Sequence, residues 1–131
     1  MKSEKKLVLI ADDDIDYLEQ LKFHVENFGF DTLTATNENE CIEAMNEHKP
    51  DLAIFDLMMN KDDSGFILSY KMKKLYPGVP VMIVTSATSE TGISFESESD
   101  SERGWIKADR FIAKGIRPDQ LHREINKLLK I

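Results

Sequence analysis

The sequence predicts a doubly wound α/β fold of five units, and three observations carry that expectation. Strand and helix patterns alternate from end to end, as in chains of βαβ units. Two runs, Leu7-Val8-Leu9-Ile10-Ala11 and Leu52-Ala53-Ile54-Phe55, are apolar at every position, so they read as parallel strands covered on both faces. Each run ends in acid, Asp12 and Asp13 after the first and Asp56 after the second. Ligand sites of open parallel sheets lie at those carboxyl ends.

The elements follow in order. After the first strand, Asp14 or Asp16 can cap a helix in which Leu18, Leu21, Val25 and Phe28 recur at helical spacing, and Gly29 stops it. Residues 30 to 35 read as the second strand. Asn37, with Glu40 three residues on, resembles a capping box, and the helix it opens carries Ile42 and Met45 inward before ending near Lys49-Pro50. The third strand, 52 to 55, delivers Asp56. A polar loop, Asn60-Lys61-Asp62-Asp63-Ser64-Gly65, leads to a third helix bearing Phe66, Ile67, Tyr70 and Leu75 and stopping at Tyr76-Pro77-Gly78. Val79 to Val84 make the fourth strand.

From Thr88 to Glu102, serines and acids outnumber apolar residues, a composition that supports little core and reads as a loop. A short helix around Trp105, a strand from Arg110 to Ala113, and a final helix from Pro118 to Lys130 with Leu121, Ile125, Leu128 and Leu129 inward complete five strands and five helices.

Bulk properties narrow the function classes. A chain of 131 residues fits one domain. With 24 acidic against 17 basic residues the formal charge is -7, which disfavours direct binding to nucleic acid or anionic lipid. The single cysteine, Cys41, has no partner within the chain, which excludes a disulfide scaffold or a Cys-based zinc site. The start, Met1-Lys2-Ser3-Glu4-Lys5-Lys6, runs straight into the first strand without a secretory apolar region, and no stretch approaches a bilayer span. A cytoplasmic protein without membrane insertion is expected.

Three crowded carboxylates repel one another, and a bound cation relieves them; hard oxygen ligands suit Mg²⁺. Thr85 follows the fourth strand and Lys114 the fifth, on the same rim as Asp56. A carboxylate there can attack phosphorus, provided a metal and a fixed cation neutralise the charge building on the equatorial oxygens. Thr85 adds a hydroxyl for a phosphoryl oxygen, and small Ser86 and Ala87 leave an approach path. Together these read as an aspartyl-phosphate site. Singly each residue has a plainer reading: helix N-cap for the acids, strand residue for Thr85, solvated charge for Lys114, core ring for Phe111. His24, His48 and His122 recur at no ligand spacing and read as surface residues.

Four segments, Leu7 to Asp14, Pro50 to Met59, Pro80 to Thr85 and Phe111 to Lys114, together resemble the receiver domain of two-component response regulators across nearly the whole chain. The resemblance implies a flavodoxin-like three-layer (βα)5 sandwich with a five-stranded parallel sheet of order 2-1-3-4-5. It implies that Asp56 accepts a phosphoryl group from a sensor histidine kinase. It further implies that Asp12, Asp13, Asp56 and the backbone carbonyl of Met58 hold Mg²⁺, and that Thr85 and Lys114 contact the phosphoryl group. Phe111 falls at the family's aromatic switch position. In the family, Thr85 and the ring move together and reshape the surface of the fourth helix, fifth strand and fifth helix. The domain is expected to span 1–131, with a Ser/Glu-rich loop at about 88–102 and no output domain, acting on a downstream protein of unknown identity. Whether activation drives a homodimer is left open.

The chain departs from the family in three places. Gly115 replaces the proline, usually in a cis peptide, that follows the lysine. The loop after Asp56 is one residue longer, with Asn60 where proline is common, and the Ser/Glu-rich segment exceeds the usual connection. Competing readings are a phosphohydrolase of haloacid-dehalogenase type, which needs a second acid where Met58 stands, a flavin or nucleotide binder, which the Asp12-Asp13-Asp14 loop opposes, and a phosphorylation-independent pseudo-receiver.

Overall fold

Successive strand residues project to opposite faces, so a run apolar at every position needs cover on both. A computed structural model of the chain, which describes residues 5–57, 59, 64–85 and 108–131, supplies that cover. Strands β1 (Leu7–Ala11), β2 (Asp31–Ala35), β3 (Leu52–Asp56), β4 (Val81–Thr85) and β5 (Arg110–Ala113) form one sheet in the order β2-β1-β3-β4-β5. Every neighbouring pair is parallel. The flavodoxin-like expectation holds. The helices among the described residues are α1 (Ile15–Asn27), α2 (Glu38–Glu47), α3 (Ser64–Leu75) and α4 (Pro118–Leu129). The helix expected around Trp105, the Ser/Glu-rich segment and most of the loop after Asp56, Met58 included, lie outside the described residues.

The sheet divides the interior in two. Val8, Ile10, Leu52, Ile54, Met82, Val84 and Ile112 face Leu18, Leu21 and Val25 of α1 and Leu121 and Ile125 of α4. Leu9, Ala11, Ala53, Phe55, Val81 and Ile83 face Cys41 and Met45 of α2 and Leu68 and Met72 of α3. Burying each large side chain of this kind stabilises the fold by about 1.5–3 kcal/mol relative to exposure.

The boundaries and faces correct several expectations. β4 begins at Val81, two residues later than expected: Pro80 has no N–H to donate, though its carbonyl accepts from Ala53 at 3.1 Å. Asp56 and Thr85 are the last residues of their strands rather than the first beyond them. Asp14, not Asp16, caps α1, accepting from Tyr17 N. Asn37 caps α2, but the Glu40 carboxylate turns back to Thr36 N at 2.7 Å instead of closing a capping box. In α2, Cys41 and Met45 are buried while Ile42 is half-buried. In α3, Tyr70 and Leu75 are exposed, and the inward face is Ser64, Gly65, Leu68, Ser69 and Met72. In α4, Leu128 and Leu129 are only half-buried. His24 and His122 are half-buried as well, with His122 stacked on Phe28 at 4.1 Å.

Candidate functional site

Four strand ends, those of β1, β3, β4 and β5, build the rim. The N–H of Asp12 donates to Ala35 O at 3.0 Å, which fixes β1 against β2 at the point where the acids emerge. Asp56 pairs in register with Val84, and Leu57 N donates to Val84 O at 2.9 Å. Lys114 N donates to Thr85 O at 3.0 Å, tying the lysine's backbone to the threonine's. Asp12, Asp56 and Thr85 are buried, Asp13 is exposed, and Lys114 and Phe111 are half-buried.

The charges meet as the sequence suggests. One carboxylate oxygen from each of Asp12, Asp13 and Asp56 lies within 4.8 Å of the others. Lys114 Nζ stands 3.3 Å from Asp12 Oδ2 and 3.7 Å from Asp56 Oδ1. Asp12 Oδ1 accepts from Asp14 N at 2.8 Å. Its Oδ2 is buried and, despite the nearby ammonium, has no partner in hydrogen-bonding geometry among the described residues. Burial pushes the Asp12 carboxyl above its ordinary range, against the lowering pull of Asp14 N–H and Lys114. Among the described residues one ammonium faces three acids, and an all-oxygen donor set with a buried oxygen that accepts no hydrogen bond there fits a hard divalent cation such as Mg²⁺.

Two residues beyond the sequence candidates shape the site. Tyr17 presents its ring to Lys114, with Nζ 4.8 Å from the centroid. Burial, then the charges of Asp12 and Asp56, push its hydroxyl up to about 12. A signal existed for it: the cap at Asp14 puts residue 17 in the first turn of α1, and helical side chains lean toward the N-terminus, here toward the acids. Gly65 is the second. A Cβ there would stand 2.7 Å from Leu57 Cα and 2.9 Å from Asp56 O, while its N–H donates to Leu57 O at 2.8 Å. The start of α3 therefore rests directly on the backbone that carries Asp56.

The departure after the lysine has a local explanation. The described residues contain no cis peptide bond, and Gly115 adopts φ +89°, a left-handed conformation that glycine takes without penalty. Phe111 packs beside the core under α2 and α3, its ring 6.2 Å from Phe66 and edge-on to it. That is the plainer of the two roles read for it, packing against the core. Ser86, Ala87 and Met58 lie outside the described residues.

Residues 8–126 match the family model of the response regulator receiver domain. The chain belongs to that family. Among curated proteins it is 25% identical over 125 residues to the alkaline phosphatase synthesis transcriptional regulatory protein PhoP of Bacillus subtilis, covering 95% of this chain and 49% of the relative. It is 29% identical over 123 residues to the transcriptional regulatory protein GlrR of Escherichia coli, covering 94% of this chain and 26% of the relative. This receiver chain thus spans about half or less of those relatives. A crystal structure of a CheY-like response regulator receiver domain protein from Methanospirillum hungatei is 27% identical, with a TM-score of 0.81 over 97% of this chain and 95% of that one. No helix among the receiver's described residues is long and apolar enough to cross a membrane.

Proposed function

We propose that this receiver is a phosphoacceptor whose Asp56 takes a phosphoryl group from the phosphohistidine of a sensor kinase. One observation carries the reading: at the carboxyl edge of the sheet, Lys114 pairs with two of three acids whose oxygens lie within 4.8 Å of one another. An Asp56 oxygen attacks phosphorus, the new P–O bond replaces the P–N bond, and the imidazole leaves with a proton. Asp12, Asp13, Asp56 and the Met58 carbonyl are the proposed Mg²⁺ ligands; when bound, the ion would neutralise charge on the phosphoryl oxygens.

Lys114 and Thr85 then hold those oxygens by charge-assisted hydrogen bonds that differ from the contacts of the unmodified acid, which Lys114 already approaches at 3.7 Å. Only such a difference between states can shift a conformational population. Phe111 is the proposed relay to the β5–α4 surface, where a downstream protein reads the state. In this proposal the 131 residues act in the cytoplasm as one receiver unit. Family membership does not favour the phosphohydrolase or pseudo-receiver readings.

Incubation with acetyl phosphate and Mg²⁺ tests this directly. Intact-mass measurement should show a single phosphoryl adduct, lost in Asp56→Asn and on chelation. An unmodified parent chain would sink the proposal.

A further inference from the structure

Lys114 has a difficulty that the pocket itself creates. Its ammonium pairs with Asp12 Oδ2 and Asp56 Oδ1, the same carboxylates that fit a divalent cation. Those oxygens cannot serve the lysine and a metal equally, and two cations side by side repel. With the metal bound, the lysine loses most of the attraction that keeps it in the pocket, before any phosphoryl group has arrived to replace it. The face of Tyr17 is a further attractive surface on the ammonium, with Nζ 4.8 Å from the ring centroid. It carries no formal charge and is not consumed when the carboxylates turn to a metal.

We infer that Tyr17 is a positioning residue: its ring parks the Lys114 ammonium beside the pocket when metal takes the acids, so that the lysine is in place when a phosphoryl group enters. The ring is itself anchored, because Tyr17 is half-buried and packed against the core between α1 and α4, and its N–H is capped by Asp14. A freely rotating side chain would lose the gain to entropy.

The inference rests on the phosphoacceptor reading, and the experiment separates the two. In lysine-labelled, unphosphorylated protein, the ring current of Tyr17 should move the Lys114 ε-methylene proton resonances upfield, with Lys114→Ala identifying the signals. The displacement should persist or grow when Mg²⁺ is added, and vanish in Tyr17→Leu. Kinetically, Tyr17→Leu should slow phosphoryl uptake from acetyl phosphate at saturating Mg²⁺ by about tenfold, the size of a partly desolvated cation–π contact. Tyr17→Phe, which keeps the ring, should restore uptake to within about twofold of the parent.

An upfield displacement that disappears on adding Mg²⁺ would overturn the inference. So would parent-rate uptake by folded Tyr17→Leu, or a Tyr17→Phe as slow as Tyr17→Leu, which would assign the effect to the hydroxyl. A parent protein that takes up no phosphoryl group defeats the phosphoacceptor reading instead, and the proton shifts alone then decide where Tyr17 holds the lysine.

Discussion

At the amino end of the sheet, Asp51 and Asp109 each accept the first N–H of a strand, Leu7 N at 2.8 Å and Val81 N at 2.8 Å; at the carboxyl end, Asp12, Asp13 and Asp56 crowd within 4.8 Å of one another. The same side chain serves opposite ends because a parallel sheet is polar. Unpaired N–H groups emerge where its strands begin and unpaired carbonyls where they end, so an acid at the start finds a donor in the backbone itself. An acid at the finish must look to a lysine, a neighbouring turn or a metal. The lesson is that position along the strand, not residue type, separates a structural clip from a chemical site.

The sharpest way to break that contrast is Gly65→Ala, which drives a Cβ into the backbone of Asp56 and Leu57. Helix propensity alone favours alanine by about 1 kcal/mol, so a net loss of about 1–3 kcal/mol in urea unfolding would isolate the clash. Weakened Mg²⁺ binding should accompany it. Unchanged stability and affinity would mean that the carboxyl edge does not depend on this close approach.

At the amino end, Asp109→Ala should cost about 1–2 kcal/mol through the orphaned Val81 N–H and leave Mg²⁺ affinity untouched. Asp109→Asn keeps an acceptor and gives up only the half-exposed ion pair with Lys73, so it should recover most of that loss. A metal-binding defect in either variant would erase the distinction between the ends.

Gly115→Ala tests the rim more gently. Apart from its chain neighbours, no atom of the described residues stands within 4 Å of the added Cβ, so the left-handed φ is what opposes it, at about 1 kcal/mol. Gly115→Asn should be milder, since asparagine tolerates that region.

The smallest effects are pH slopes of opposite sign in metal-free protein. The Asp12 carboxyl titrates above its ordinary 3.8 in the fold, so stability declines as pH rises from there through the raised value, and Asp12→Asn should flatten that decline. Glu124 is held below its ordinary 4.5 by Arg110; its contribution is present above 4.5 and lost as pH falls through the depressed value. Urea midpoints in a chelator across that range should show Glu124→Gln removing the acid-side loss alone.

The sheet and the acids were legible because apolar runs and strand-end carboxylates are local signals. The α3 face was not. Phe66, Ile67, Tyr70 and Leu75 are its conspicuous apolar residues, yet its inward side includes Ser64, Gly65 and Ser69. Gly65 lies where a Cβ would collide with the backbone after β3, and the two serines bury hydroxyls that bond to Glu38 and to Gly65 O. Tyr17 escaped notice for a related reason: a lone tyrosine in a helix shows its role only once Lys114, distant in sequence, is beside it. The turn at Gly115 needed a backbone angle, which residue identity hints at but does not state.

The two interiors on either side of the sheet have an evolutionary consequence. Because strand residues alternate between them, the sheet acts as a partition wall, and a change of volume in one compartment is felt mainly by its own neighbours. Compensating substitutions among relatives should therefore pair Ile54 with Leu121 or Val25, and Phe55 with Met45 or Leu68, and seldom cross the wall. Tyr17 belongs to the first compartment and Phe111 to the second, so a lineage can vary the packing around one of these rings while leaving that around the other inherited.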